Sequence, residues 1–445
     1  MAIESFQTKL SSNATISPAG AKIQRWSDFN YFSSGRVVNV ATEEDVQATI
    51  QHCIAQNINF SVQSGGHGWS AFPDLPHDEV MINMRGLNQV TFNSDKTEAT
   101  IQGGAIIKEV VDAAWDNDVH IVTGTCNEVG YVGALLGGGF GHMCAVYGLL
   151  IENVLSMNVV LADGSLRTIA AADEDLWFAF RGAGHNFGVV TSVTAKTHPV
   201  PRDQNNASVG ALLFTEDKLE ALIQAVEDLK LEPNMDIFTG FITSGPPHFT
   251  PVLAVFPFFY GPVEEARKAF ASIIDLGPMV DDIRYAPYNR WNDGIDAFCA
   301  KGGRKPGYGV GVSKLVPSTW RSIWNQYVEF LEHEGTGHSG MLIEQYPQVK
   351  MENDTSSFPA RGIRYNTFML PWYPDATLDT EAQKLGKAMV DALDRDGSAT
   401  SLKYVNHAFG DEPSEVVYGD RLDKLTDLKR KYDPENIFNR WFKLA

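Results

Sequence analysis

The sequence predicts an α+β fold divided into two domains, and three observations carry that prediction. At 445 residues the chain is longer than a single hydrophobic core sustains. Through roughly the first 200 residues, short apolar runs end in glycine-rich turns. Between about 200 and 400 the glycine clusters thin out, and long strand-like runs alternate with amphipathic helical stripes. That second texture is the pattern of a largely antiparallel sheet flanked by helices.

Taken in order, Thr42 with Glu43, Glu44 and Asp45 behind it reads as a helix cap with acids in the first turn. Val46, Ile50, Cys53 and Ile54 then recur on one helical stripe. The strand-like run Phe60–Gln63 passes into Ser64-Gly65-Gly66-His67-Gly68-Trp69-Ser70, where paired glycines let backbone N–H groups close on an anion. Val80–Met84 is a further strand, Gln89–Phe92 and Ala99–Gly103 flank a hairpin turn, and Ile106–Asn117 is a helix. The strand His120–Val122 delivers the chain to Gly124-Thr125-Cys126-Asn127-Glu128-Val129-Gly130, followed by Gly137-Gly138-Gly139-Phe140-Gly141. Both unusual stretches thus leave strand ends, where α/β proteins commonly bind ligands. Ser156–Ala162 is a strand, Asp173–Phe180 a short helix, Arg181–Gly188 a third glycine-rich turn and Val189–Thr197 a strand. Beyond the boundary near Pro199–Gln204, the expected strands are Ile237–Thr243, Val252–Phe256, Met341–Gln345 and Arg364–Leu370. The helices are Asp217–Leu229, Pro262–Ile274, Ser318–Glu332 and Thr377–Leu393, and a second boundary falls near Gly397–Ser401.

A formal charge of −19, with no cluster of Lys and Arg, excludes a phosphate-backbone partner. No run of about 18 apolar residues is present, so no membrane span is expected. The first 20 residues lack the apolar core of a secretory signal, and the last four fall short of a peroxisomal Ser-Lys-Leu address. Cys53, Cys126, Cys144 and Cys299 follow neither disulfide-type nor zinc-type spacing, so the expected setting is reducing, intracellular and cytoplasmic. No oligomeric state is assigned.

Singly, these signals have ordinary readings. A Gly-Gly pair is usually a turn, a histidine a surface or satisfied core residue, and Cys126 a small buried hydrophobe. In combination they exclude more. A Rossmann dinucleotide site fails because Gly137–Gly141 is not Gly-x-Gly-x-x-Gly and Phe187 stands where Gly182-x-Gly184 needs its third glycine. A zinc site of Cys126, His142 and Cys144 has a one-residue gap and no partner pair, so no metal is expected. A Cys126–His67 hydrolase leaves three glycine-rich turns unexplained. What fits is a cofactor with a pyrophosphate and a large flat ring.

Ser64–His67, Gly124–Cys126 through Gly141, Tyr147-Gly148-Leu149 with Asn153, Arg181–Gly188, Phe358-Pro359-Ala360-Arg361, Tyr404-Val405-Asn406 and Asp433-Pro434-Glu435-Asn436 occur in one order. In this the chain resembles the berberine-bridge-enzyme-like FAD oxidoreductases of the vanillyl-alcohol-oxidase superfamily, most closely their fungal branch. The resemblance implies a two-part PCMH-type FAD-binding domain, residues 1–200 with the returning segment 400–445, and an inserted α+β substrate domain, 201–399. It implies a cofactor-binding set of Ser64, Gly65, Gly66, His67, Gly68, Ser70, Gly124, Cys126, Val129, Gly130, Gly133, Gly137, Gly138, Gly139, Gly141, Asn153, Gly188, Val190, Tyr404 and Asn406. His67 would bond the flavin 8α-methyl carbon and Cys126 ring carbon 6, as befits an imidazole nitrogen and a thiolate meeting an electrophilic ring.

Tyr404, opening the family's Tyr-x-Asn strand, stands where alcohol-oxidising members keep a catalytic base. Its phenol, ordinarily near pKa 10, would have to be depressed by Arg, Lys or the flavin's surroundings. Asn406 and His407 join it at the catalytic centre. Trp69, Tyr131, Tyr365 and Thr367 would line the substrate pocket. Thr367 replaces the founder member's base glutamate, and Trp372 anchors that alignment. Tyr131 and Val132 replace small residues on the oxygen-facing side of the ring. The implied reaction oxidises an alcohol or activated C–H of a small secondary-metabolite-like molecule, with oxygen re-oxidising the flavin to give hydrogen peroxide. The same fold also implies two alternatives in redox chemistry, a dehydrogenase or a cyclase, and one in another class, a non-catalytic binding protein.

Overall fold

The computed structural model describes residues 6–29, 35–69, 79–348 and 355–444. Ser70 lies outside the described residues.

The N-terminal part holds two sheets. In the first, Arg36–Asn39, Val80–Asn83 and Phe60–Gln63 run parallel, with Val80–Asn83 central, and Thr15–Ile16 is added antiparallel at the edge. The helix Glu43–Gln56 connects two of these strands. It starts as its sequence requires: the Thr42 side chain accepts from the Asp45 amide at 3.2 Å and Asp45 accepts from the Thr42 amide at 3.0 Å, a capping box. Its stripe of Val46, Ile50 and Cys53 is fully buried against the parallel sheet. The second sheet is antiparallel, in the order Val90–Phe92, Glu98–Gln102, Gly188–Lys196, Val154–Leu161, Leu166–Ala170.

Between residues 206 and 370 a large antiparallel sheet forms. Its main path runs Val280–Asp281, Leu212–Phe214, Pro251–Phe259, Met235–Thr243, Gly340–Gln345, Tyr365–Leu370, Tyr308–Val312. Period-two alternation gives it two distinct faces. Ile237, Phe241, Met341, Ile343, Tyr365 and Met369 point to one core, shared with the helices Leu219–Asp228, Pro317–Phe330 and Asp379–Arg395. Leu342, Phe368 and Leu370 point the other way and pack with Trp26 and Trp69 from the N-terminal part.

Two expectations need correction, and one strand was not expected. The expected helix Pro262–Ile274 is two helices, Val263–Ala269 and Ala271–Ile274, meeting at the buried Phe270, whose backbone leaves the helical region. Tyr404 does not open a strand: it precedes the 3₁₀ turn Val405–His407. The strand Tyr308–Val312 was not among the expected strands. Its glycines admit a neighbouring segment, since a Cβ on Gly309 would lie 2.8 Å from the His407 carbonyl carbon.

Candidate active site

The glycine-rich loops converge on one cavity. From the first loop its lining takes Ser64, Gly65, Gly66, His67, Gly68 and Trp69. The second supplies Gly124, Thr125, Cys126, Val129, Gly130, Val132 and Gly133. Gly188 and Val190 come from the third region, the substrate-side sheet contributes Leu342, Glu344, Tyr346, Phe368 and Leu370, and Tyr404, Asn406 and His407 close it.

The first two loops are clamped together. A Cβ on Gly65 would lie 2.5 Å from the Gly130 nitrogen, and one on Gly130 would lie 2.5 Å from Ser64 Oγ, so only glycines allow this approach. Ser64 Oγ donates to the Gly103 carbonyl at 2.8 Å, and Arg25 Nη2 donates to the Gly68 carbonyl at 3.0 Å, leaving the loop's shape fixed. A cradle of close-set backbone with open space over Gly68 and Gly133 fits a pyrophosphate-bearing cofactor.

His67 stacks on the fully buried Trp26, ring centroids 4.6 Å apart. Burial, with Lys305 and Lys301 nearby, pushes its pKa down to about 3, so the imidazole is neutral and carries a nucleophilic lone pair at physiological pH. Lys305 sits between Trp26 and Trp372, 4.5 and 3.8 Å from their ring centroids, and burial lowers it to about 7. Cys126 Sγ lies 3.5 Å from His67 Nε2, so the two expected attachment residues are neighbours.

Cys126 is also disulfide-bonded to Cys299, which corrects the expectation that no cysteines pair. The partner comes from 173 positions away, a separation that spacing rules do not read. Among the described residues, His67, Cys126 and Cys299 form the one group with metal-ligating atoms within 4.8 Å of one another. The trio Cys126, His142 and Cys144 does not assemble. His142 Nδ1 pairs with Asp236 at 2.8 Å, and Cys144 is buried in the core.

At the other end of the cavity, Asn406 Nδ2 donates to the Tyr404 hydroxyl oxygen at 2.8 Å and to the Ala134 carbonyl at 2.9 Å. Tyr404, Trp69 and Phe368 surround the His407 ring at centroid distances of 4.8, 5.5 and 4.9 Å. Burial pushes His407 down to about 3, and its buried Nδ1 has no hydrogen-bond partner among the described residues. The expected depression of Tyr404 does not occur: burial, and then the nearby Glu344 carboxyl, raise its pKa, outweighing the Asn406 hydrogen bond.

Glu344 is a site residue the sequence reading missed. It is the one carboxylate among the described lining residues, 4.0 Å from His407 Nε2 and 3.4 Å from the Tyr346 hydroxyl, which donates to it. Burial, reinforced by Asp236, pushes its pKa up to about 8. The available signal was alternation: Leu342 and Glu344 share the cavity face of the strand Gly340–Gln345, with Tyr346 just past its end, and an acid interrupts an otherwise apolar face.

The same alternation corrects two pocket residues. Tyr365 and Thr367 occupy the helix-facing side of the adjacent strand; Tyr365 donates to Glu227 at 2.9 Å and Thr367 to the Val310 carbonyl at 2.9 Å, both away from the cavity. Tyr131 is fully buried behind the wall, and its neighbour Val132 lines the cavity instead. Gly137, Gly138, Gly139 and Gly141 also lie behind the wall. There they make room for Asn406, Phe358, Leu150 and the Thr123 carbonyl respectively. Asn153 holds its own turn, donating to the Tyr147 and Leu149 carbonyls at 3.0 and 2.9 Å.

Two family models match the chain. One, for an FAD binding domain, covers residues 35–170, and one, for berberine and berberine-like proteins, covers residues 403–440. The FAD-linked oxidoreductase hasG of Aspergillus fumigatus is 31% identical over 95% of this chain and 94% of its own length. OXR1 of Pyricularia oryzae, also an FAD-linked oxidoreductase, is 31% identical over 90% of this chain and 82% of its own. Among solved structures, the BBE-like 1 protein of Physcomitrella patens superposes with a TM-score of 0.84 over all of both chains at 18% identity. The 6-hydroxy-D-nicotine oxidase of Arthrobacter nicotinovorans gives 0.83 over 98% of this chain and 99% of its own at 21% identity, a likeness of fold. The chain is therefore a member of the berberine-bridge-enzyme-like family of FAD-linked oxidoreductases.

Proposed function

We propose that this oxidoreductase holds FAD by two covalent bonds, at His67 and Cys126, and oxidises an alcohol or activated C–H of a small, largely apolar molecule, with oxygen as the electron acceptor and hydrogen peroxide as product. Bound flavin supplies the hydride-accepting ring nitrogen. Everything else is the work of this chain's own residues. Residues 1–200 with 400–445 serve as the cofactor-holding part, and 201–399 as the wall over the substrate.

The observation that carries the reading is the pairing, in one cavity, of a neutral His67 next to Cys126 with a proton-handling group of Tyr404, Asn406, His407 and Glu344. Trp69, Phe368, Leu342 and Leu370 exclude water and orient an apolar substrate against that group. Asn406 steadies negative charge on the Tyr404 oxygen as it receives the substrate's proton. Burial makes a free phenolate costly, so Tyr404 takes the substrate's proton only as it passes its own on to Glu344 in its ionised form, the cavity acid whose ionisation lies nearest neutrality. Glu344 thus supplies from the neighbouring strand the carboxylate that Thr367 lacks.

Oxidase behaviour is favoured over dehydrogenase behaviour because Tyr131, the bulkier of the two residues replacing small ones on the oxygen-facing side, is packed behind the wall and leaves only Val132 lining it. The test is turnover under air with a flavin-reducing substrate found by screening apolar alcohols, sugars and alkaloids. One peroxide per product supports the reading; product without peroxide rejects it in favour of a dehydrogenase or non-oxidative cyclase.

A further inference from the structure

Cys299 belongs to no motif, yet its position against Cys126 is built by several contacts. It ends the short helix Asp296–Cys299, which follows the 3₁₀ segment Tyr288–Ile295. Asn127, next to Cys126, donates through Nδ2 to Asp296 Oδ1 at 2.8 Å. Asn292 Nδ2 reaches back to Asn127 Oδ1 at 3.3 Å and to the Gly124 carbonyl at 3.4 Å. Trp26, under His67, donates through Nε1 to the Phe298 carbonyl at 2.7 Å. The two sulfurs therefore meet because four side-chain hydrogen bonds hold the 292–299 segment onto the Cys126 loop, with the Cα atoms 6.5 Å apart.

A second observation concerns access. Cys299 lines the central cavity, and it also lines a separate open cavity walled by Lys108, Asn127, Glu128, Asp296, Ala300 and Lys301. Cys299 itself is only 2% exposed, so the outer cavity brings a small thiol or disulfide to the wall behind its sulfur without passing through the cofactor's place.

We propose that Cys299 is a resolving thiol for Cys126, so that Cys126 has two mutually exclusive covalent fates, a disulfide to Cys299 or a thioether to flavin, selected by low-molecular-weight thiols and disulfides arriving through the outer cavity. The inference rests on the reading that Cys126 bonds the flavin. In the first fate, two thiols and one small disulfide exchange to give the Cys126–Cys299 bond and two small thiols, the protons leaving on the latter; excess small thiol reverses it. In the second, the Cys126 S–H and a flavin ring C–H are replaced by one C–S bond, and the two electrons and two protons pass through the flavin to oxygen as hydrogen peroxide. A sulfur committed to the disulfide has no thiolate to offer.

The test uses the full-length chain from riboflavin-starved cells. One portion is treated with glutathione disulfide and one with dithiothreitol; both are desalted, given FAD under air, acid-quenched, and examined by intact mass and peptide mapping. The oxidised wild type should map with Cys126 joined to Cys299 and acquire flavin at His67 alone. Its thioether yield should be at least about tenfold below that of the reduced portion, on the scale of a thiol withheld from reaction. Cys299→Ala and Cys299→Ser should form the thioether equally after either treatment. Equal thioether yields from oxidised and reduced wild type, or free Cys126 and Cys299 after oxidation, would overturn the proposal. A reduced Cys299 variant that binds flavin at His67 but never at Cys126 would instead defeat the attachment reading, while the disulfide, mapped separately in the wild type, would still be seen.

Discussion

At the scale of single residues, the site works by holding groups in ionisation states they would not keep in water. His67, desolvated and near two lysines, stays neutral far below the ordinary histidine range. Its bond to flavin should therefore form at a rate unchanged between pH 5 and 8, measured as protein-bound fluorescence in denaturing gels. A rate falling through about 6.5, the ordinary histidine value, would contradict this. Tyr404→Phe should slow flavin reduction by about 100-fold or more while flavin stays bound, as stopped-flow absorbance would record. Glu344 has its pKa raised in the folded chain, to about 8, so its contribution to stability is full below the unfolded carboxyl value and is lost as pH rises toward 8. Glu344→Gln should thus flatten the fall in melting temperature between pH 5 and 8, and remove any step near pH 8 from the flavin-reduction profile.

At the scale of elements, most strands and helices were legible because burial follows the period of the side chains, as in Met235–Thr243 and Pro317–Phe330. What was not legible had a physical reason. Gly309 and Gly311 serve close packing in a strand, a use of glycine that sequence alone cannot tell from a turn. Thr367 was assigned to the pocket by alignment to Trp372, but the side chain that faces the cavity is set by strand parity, which selects Phe368 and, across the pair, Leu342 and Glu344. The motif around Asp433 proves to be an anchor. Lys429 Nζ, fully buried, binds Asp433 Oδ2 at 2.6 Å, the Asn186 carbonyl at 2.8 Å and the Phe438 carbonyl at 2.6 Å, tying the C-terminal segment to the third glycine-rich turn. Lys429→Met leaves a buried carboxylate unpaired and should cost about 3–5 kcal/mol in denaturant unfolding. Gly65→Ala pushes a methyl into the Gly130 backbone and should abolish flavin retention on a desalting column, with the fold otherwise intact by circular dichroism.

At the scale of the molecule, the large antiparallel sheet separates two jobs by its two faces, one sealing a helical core and the other roofing the cavity. The glycine-rich loops form the floor beneath it, and none of them makes a cofactor site alone. Among the described residues no helix is long and apolar enough to cross a membrane. The central claim, that His67 and Cys126 form a two-point covalent hold on FAD, is tested most directly by acid-precipitating the reduced, FAD-loaded chain and weighing the intact protein. Wild type, His67→Ala and Cys126→Ala should each carry one FAD in the precipitate, and the double variant none. Flavin wholly in the supernatant from the wild type, or loss of all protein-bound flavin in either single variant, would contradict the account.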